Sequence, residues 1–149
     1  MKNKLNIIYI VLRLFLGGMM VYGGIGKFEK PNPTALEVVE KAEKFTSPEQ
    51  ENTLQKVLYI NGAKQTGYFW ELLGICELVF GLLLIMQGTS FIGAVLLLPI
   101  TLHIFLFHAF LELDEIGELL MTGGLLLSNL VLVFKEYANW KHLIWIKVF

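Results

Sequence analysis

"LLLPITLHIFLFHAF", residues 96–110, is apolar enough to sit in hydrocarbon, yet it carries Pro99 and two imidazoles, His103 and His108. With Phe91–Val95 in front it reaches the roughly 20 mostly apolar residues that a helix needs to cross a bilayer. Three further segments approach that length, and the predicted spans run over 5–26, 68–86, 91–110 and 119–134. Composition agrees. Hydrophobic residues make up 55% of the 149 and charged residues 17%, against about 45–50% and about 25% in soluble domains. The expected fold is all-α: a single integral membrane domain over 1–149, a four-helix bundle whose medium is the lipid bilayer.

The connections shape that bundle. "QGTS" (87–90) permits only an antiparallel hairpin, and the last loop is short and acidic, with Glu112, Asp114, Glu115 and Glu118 and no base. Between the first two spans lies a polar insert, 27–67, which reads as two short amphipathic helices. "TALE" (34–37) is a capping box, with Leu36, Val39, Ala42 and Phe45 on one face of the helix it opens. "SPEQ" (47–50) starts a second, with Ser47 as cap, Pro48 at the first helical position, and Leu54, Val57 and Leu58 on its apolar side. Both helices are expected on the mouth of the bundle or at the lipid interface. The lysine-flanked start "MKNK" resembles a signal peptide, but Arg13 interrupts the apolar run and no small-residue cleavage site closes it, so a retained helix is expected. Lys2, Lys4, Lys135, Lys141 and Lys147 flank the face that would hold both termini. Lys27, Lys30, Lys56 and Lys64 lie opposite. Set against the acidic last loop, this narrow bias favours cytoplasmic termini in a cytoplasmic (inner) membrane. In the tail, Trp140 and Trp145 read as interfacial anchors.

Several function classes fall away. The net charge of −1 gives no basis for nucleic-acid binding. The lone Cys76 can form neither an intramolecular disulfide nor an iron–sulfur site. A haem held between spans would need histidines on two of them, and His103 and His108 lack the spacing of two ligands on one helical face, so neither haem nor metal is expected. "GGIGK" (23–27) lacks the spacing of a phosphate loop.

What remains is a column of polar groups inside the spans, where ionisable side chains commonly mark function. Arg13, Glu71, Glu77, His103 and Asn129 form the candidate interior site, with His108 and Lys27 as peripheral members. At about 1.5 Å per residue, counted from the ends of the spans, Arg13 and Glu77 come out level, at about 12 and about 13 Å. A mutual ion pair is the expected consequence. Gly17 and Gly24 share a stripe with Arg13, and Gly74 and Gly81 with Glu77, which gives close-packing seams. Pro99 frees a carbonyl one turn before His103 and invites a kink. Each feature also has a plain structural alternative: an ion pair that only fixes register, a core histidine satisfied by a neighbouring helix, glycines that only pack.

Three stretches resemble the DoxX family. "VLRLFLGGMMVYGGIGKF" (11–28) is similar to its first helix, with the Arg, the glycine face and the closing Gly-x-x-Lys-Phe. "TGYFWELLGICELVFGLLL" (66–84) is similar to the second, and "LLLPITLHIFLFH" (96–108) to the third helix of its small DoxX-like branch. By position Arg13, Gly24, Lys27 and Glu77 match the family's motifs, whereas His103 stands where many relatives carry Asn. The resemblance implies a four-helix membrane protein of a family that includes oxidoreductase subunits linked to quinone-dependent sulfur oxidation and thiol-redox complexes. It assigns no catalytic residue. Two expectations follow: a membrane subunit of a redox assembly that meets a quinone and a redox partner protein or a second copy of itself, or a non-enzymatic assembly factor that binds a partner protein through the amphipathic insert.

Overall fold

A computed structural model describes the backbone of residues 2–45 and 47–144 and the side chains of 6–45, 47–138, 140 and 141. Trp145 and Lys147 lie outside the described residues. The chain is all helix: α1 (Lys2–Gly26), α2 (Ala35–Ala42), a 3₁₀ turn (Pro48–Gln50), α3 (Glu51–Gln65), α4 (Phe69–Ile85), α5 (Ser90–Leu111), α6 (Ile116–Lys135) and α7 (Tyr137–Ile144). The helices α1, α5 and α6 are long and apolar enough to cross a membrane. At 17 residues α4 is shorter, and it joins α3 at an 88° bend. Gly67 makes that bend possible, since its φ of 75° lies in the left-handed region closed to most side chains. Thr66 accepts the Phe69 N–H at 2.9 Å and so starts α4.

Four helices, α1, α4, α5 and α6, form the bundle, with α1 packed on α4 and α5 on both α4 and α6. Leu16, Met20, Leu84, Ala94, Leu97, Leu125, Leu132 and Val133 fill its core. Glycines set the closest approaches. A Cβ on Gly17 would lie 3.0 Å from the Gly81 carbonyl, and one on Gly24 would lie 2.9 Å from that of Gly74. These contacts put α1 and α4 in a definite antiparallel register, with Gly17 facing Gly81 and Gly24 facing Gly74. A seam that the sequence reading did not single out joins α4 to α5, where Gly93 lies against the Leu84 backbone.

Pro99 sits inside an uninterrupted α5, and Asn129 of α6 supplies the polar group that this stretch needs. Fully buried, its carboxamide donates to Ala94 O at 2.9 Å and accepts from Leu98 N at 3.1 Å, with Thr101 Oγ1 at 3.0 Å. Asn129 therefore staples α6 to α5 next to the proline.

The insert follows its expected helices with two corrections. The Thr34–Glu37 capping box opens α2, but Ser47 caps nothing. Its hydroxyl donates to Gln50 at 3.1 Å, because Pro48 begins a 3₁₀ turn and α3 starts only at Glu51. On α3 the buried face is Val57 and Asn61, while Leu58 is half exposed. The helix lies across one end of the bundle against α4 and α5. At the opposite end α7 folds back: Trp140 Nε1 donates to Val133 O at 2.9 Å, and its ring packs against the core cluster.

Candidate functional site

Beneath α3 a cavity of about 260 Å³ opens between α1, α3, α4 and α5. Its walls are largely aromatic and aliphatic, with Trp70, Leu73, Ile104 and Phe107 among them. Two polar pairs project into this apolar space. At one pole Lys27 Nζ donates to Glu77 Oε2 at 2.6 Å, the two side chains 14% and 2% exposed. At the other, Tyr59 Oη and His103 Nε2 are 2.6 Å apart. The rings of Tyr59 and Phe107 pack at a tilt of 40° with centroids 5.7 Å apart, and Trp70 presents its face to the ammonium groups of Lys27 and Lys64, at 5.3 and 4.9 Å.

Lys27, not Arg13, therefore neutralises Glu77. The glycine register explains the difference. With Gly17 facing Gly81 and Gly24 facing Gly74, Glu77 is level with Val21 and Arg13 is level with Ile85, about 12 Å away along the axis. Counting depth from the ends of the spans missed this, because side-chain contacts rather than span ends fix how far one helix slides past another. Lys27, just past the end of α1, runs its flexible stem down beside Trp70 to reach the carboxylate. Gly23 borders the pair, where a Cβ would stand in ordinary contact, 3.6 Å from Glu77 Oε2.

The histidines exchange their expected surroundings. His103 is an exposed residue on the open side of the cavity. His108 is the more enclosed, at 13%, because Phe107 and the last loop cover it. Its Nδ1 lies 2.5 Å from Glu112 Oε2 and 3.4 Å from Glu118 Oε2. Lys56 of α3 reaches the other oxygen of Glu112. Burial opposes ionisation of Glu112, but the Lys56 hydrogen bond and charge, aided by His108, outweigh it and hold its pKa below the usual 4.5. Among the described residues His108, Glu112 and Glu118 form a group with the spacing to hold a metal ion, their ligand atoms within 4.8 Å of one another. Glu112 there already meets Lys56, and both carboxylates approach the His108 imidazole, so the cluster ties α3, α5 and α6 together.

Glu71 sits at the mouth, where its Oε1 accepts from Asn32 at 2.5 Å. Arg13 opens instead to a second cavity at the far end of the bundle, and Asn129 serves the α5 backbone, away from both polar pairs. Tyr59 and Thr101 were not singled out in the sequence, and Lys56 was counted there only as a charge flanking the spans. Tyr59 had one signal: an aromatic ring on a half-apolar helix whose hydroxyl must find a partner.

The model of the DoxX family matches residues 8–109. This chain belongs to the DoxX family. The matched stretch runs from α1 into the last turn of α5, so both polar pairs of the DoxX cavity lie inside it, while Glu112, Glu118 and α6 lie beyond. No curated protein and no solved structure matches the chain. The protein is thus a multi-pass membrane protein of DoxX type with an α-helical bundle in the bilayer.

Proposed function

We propose that this DoxX protein is a membrane subunit of a redox assembly and that the cavity beneath α3 holds a quinone head group. The observation that carries the reading is the pairing of an apolar, aromatic-walled slot with hydrogen-bonding groups at opposite poles. Ligand sites of this kind are lined mostly by apolar side chains with a few placed polar groups. A space of about 260 Å³ suits a ring-sized head group whose isoprenoid tail leaves into lipid. Tyr59 and His103 would orient one carbonyl through a hydroxyl or imidazole donor, and Lys27, held by Glu77, would face the other. A bound quinone would supply the capacity to take up two electrons and two protons from a partner donor. In this reading the protein sits in the inner membrane with cytoplasmic termini.

The test is solvent extraction of protein purified in mild detergent, combined with titration of a short-chain quinone against Trp70 fluorescence. Co-extracted quinone and saturable quenching are expected, weakened about ten-fold or more by His103→Ala and less by His103→Asn, which keeps a hydrogen-bonding group. An extract without quinone together with unsaturable quenching would sink the reading. A second reading, a non-enzymatic factor that binds a partner protein, is favoured by α2. No residue of α2 is buried, and Leu36 and Val39 are exposed. A stoichiometric co-purifying protein lost on Leu36→Ser and Val39→Ser would support it.

A further inference from the structure

The second cavity lies at the other end of the bundle, where the first half of α1, the α4–α5 turn and the end of α6 meet. It encloses about 380 Å³. Arg13 and Lys135 line it together with Tyr9, Gln87, Ser90 and Glu136. Arg13 Nε is buried, and among the described residues it has no hydrogen-bond partner. A guanidinium cannot shed its charge in a protein, so the cation persists inside the span. Glu77, the nearer of the two acids on the neighbouring helix, is about 12 Å away along the axis and already holds Lys27. Lys135 lies over the Tyr9 ring at 4.8 Å and 3.7 Å from Glu136 Oε1. Of the described residues that line the cavity, two are cationic and one is acidic, which leaves one positive charge in excess among them.

We propose that this cavity binds the phosphate of an anionic phospholipid head group between Arg13 and Lys135. The end of a spanning bundle lies at head-group depth, and basic pockets between membrane helices recognise such phosphates. A bidentate guanidinium fits phosphate oxygens, and Tyr9, Gln87 and Ser90 offer further donors. Asn6 also lines the cavity, and the rest of the wall is apolar: Ile10, Leu84, Phe91 and Leu132. Ile10 is also exposed on the lipid-facing side of α1, beside Ile7 and Val11, so acyl chains can continue along that surface. The same phosphate chemistry could come from solution, and the experiment separates the two sources. The site is at the opposite end from the proposed quinone cavity and does not depend on it.

The test titrates detergent-purified protein with short-chain phosphatidylglycerol, short-chain phosphatidylcholine and inorganic phosphate. Native mass spectrometry counts adducts, and the thermal midpoint reports binding. Phosphatidylglycerol is expected to bind at least ten-fold more tightly than phosphatidylcholine and to raise the midpoint. Arg13→Gln should weaken it ten-fold or more, Arg13→Lys less, and Lys135→Gln about three-fold. Equal binding of inorganic phosphate, lost in the same variants, would support the anion site and assign it to a solution ligand. Equal affinity for the two lipids would overturn the proposal, as would phosphatidylglycerol affinity unchanged by Arg13→Gln. Should Arg13→Gln fail to fold, unchanged affinity in Lys135→Gln, whose side chain is 40% exposed and tolerant of change, is the overturning result.

Discussion

Glu77 is 2% exposed in a bundle bounded by lipid, and its ionised form depends on Lys27. Breaking a buried pair by removing one partner is costly because the other charge remains without compensation, on the order of 3 kcal/mol or more. Lys27→Ala strands the more deeply buried group and should destabilise more than Glu77→Ala, which leaves a lysine long enough to reach water. The double change should cost clearly less than the sum of the two single changes. A thermodynamic cycle in detergent measures this. Arg13→Ala with Glu77→Ala is the control and should be additive, because the glycine register keeps these residues on different levels. Coupling in the control and none between Lys27 and Glu77 would overturn the assigned pairing. The two alternatives differ by the slide of α1 along α4, which is set by Gly17, Gly24, Gly74 and Gly81 and cannot be read from hydropathy.

At the scale of elements, α3 is held down by side chains, with Lys56 on Glu112 and Tyr59 on His103. Glu112 stands just beyond the end of α5 and faces Lys56 from α3 and His108 from its own helix, while Glu118 of α6 meets the same imidazole. Its pKa is depressed on folding, so the unfolded chain binds the proton more readily. The contribution of Glu112 to stability is therefore full above about 4.5, the unfolded value, and is lost as pH falls through the lower folded value. Thermal midpoints measured from pH 7 to pH 3 should fall in that acid window, and Lys56→Met should flatten the fall. A variant that keeps the wild-type slope would separate Glu112 from the acid response. Much of this scale is legible in the sequence. The hairpin at "QGTS", the Thr34–Glu37 box and the four apolar runs each rest on local chemistry. The ties of α3 are not, because Lys56 and Tyr59 find partners more than 40 residues away along the chain, and no periodicity encodes such a contact.

For the whole molecule the open quantity is direction in the membrane. Hydropathy is symmetric about the bilayer, and orientation follows the lysines and arginines that flank the spans rather than net charge. Lys27 and Lys56, both counted against cytoplasmic termini in the sequence, are engaged by Glu77 and Glu112. Arg13 opens to the cavity it shares with Lys135, and so adds a cation to the terminal face. These pairings leave the lysine count unchanged, so the proposed orientation rests on the narrow lysine bias read from the sequence. Single cysteines in a Cys76→Ala background can test it. Ser47 is exposed in the insert, and Gly88 in the α4–α5 turn has open space around a Cβ, so both substitutions should be accommodated. An impermeant thiol reagent added to intact cells should label Ser47→Cys and spare Gly88→Cys until the membrane is opened. The inverse pattern would turn the molecule over. The proposed quinone cavity would then face the cytoplasm and the proposed phosphate site the outer leaflet, whose lipids would be the ones to test. Equal labelling at both positions would mean that α4, which has the insert at one end and the α4–α5 turn at the other, does not cross the bilayer.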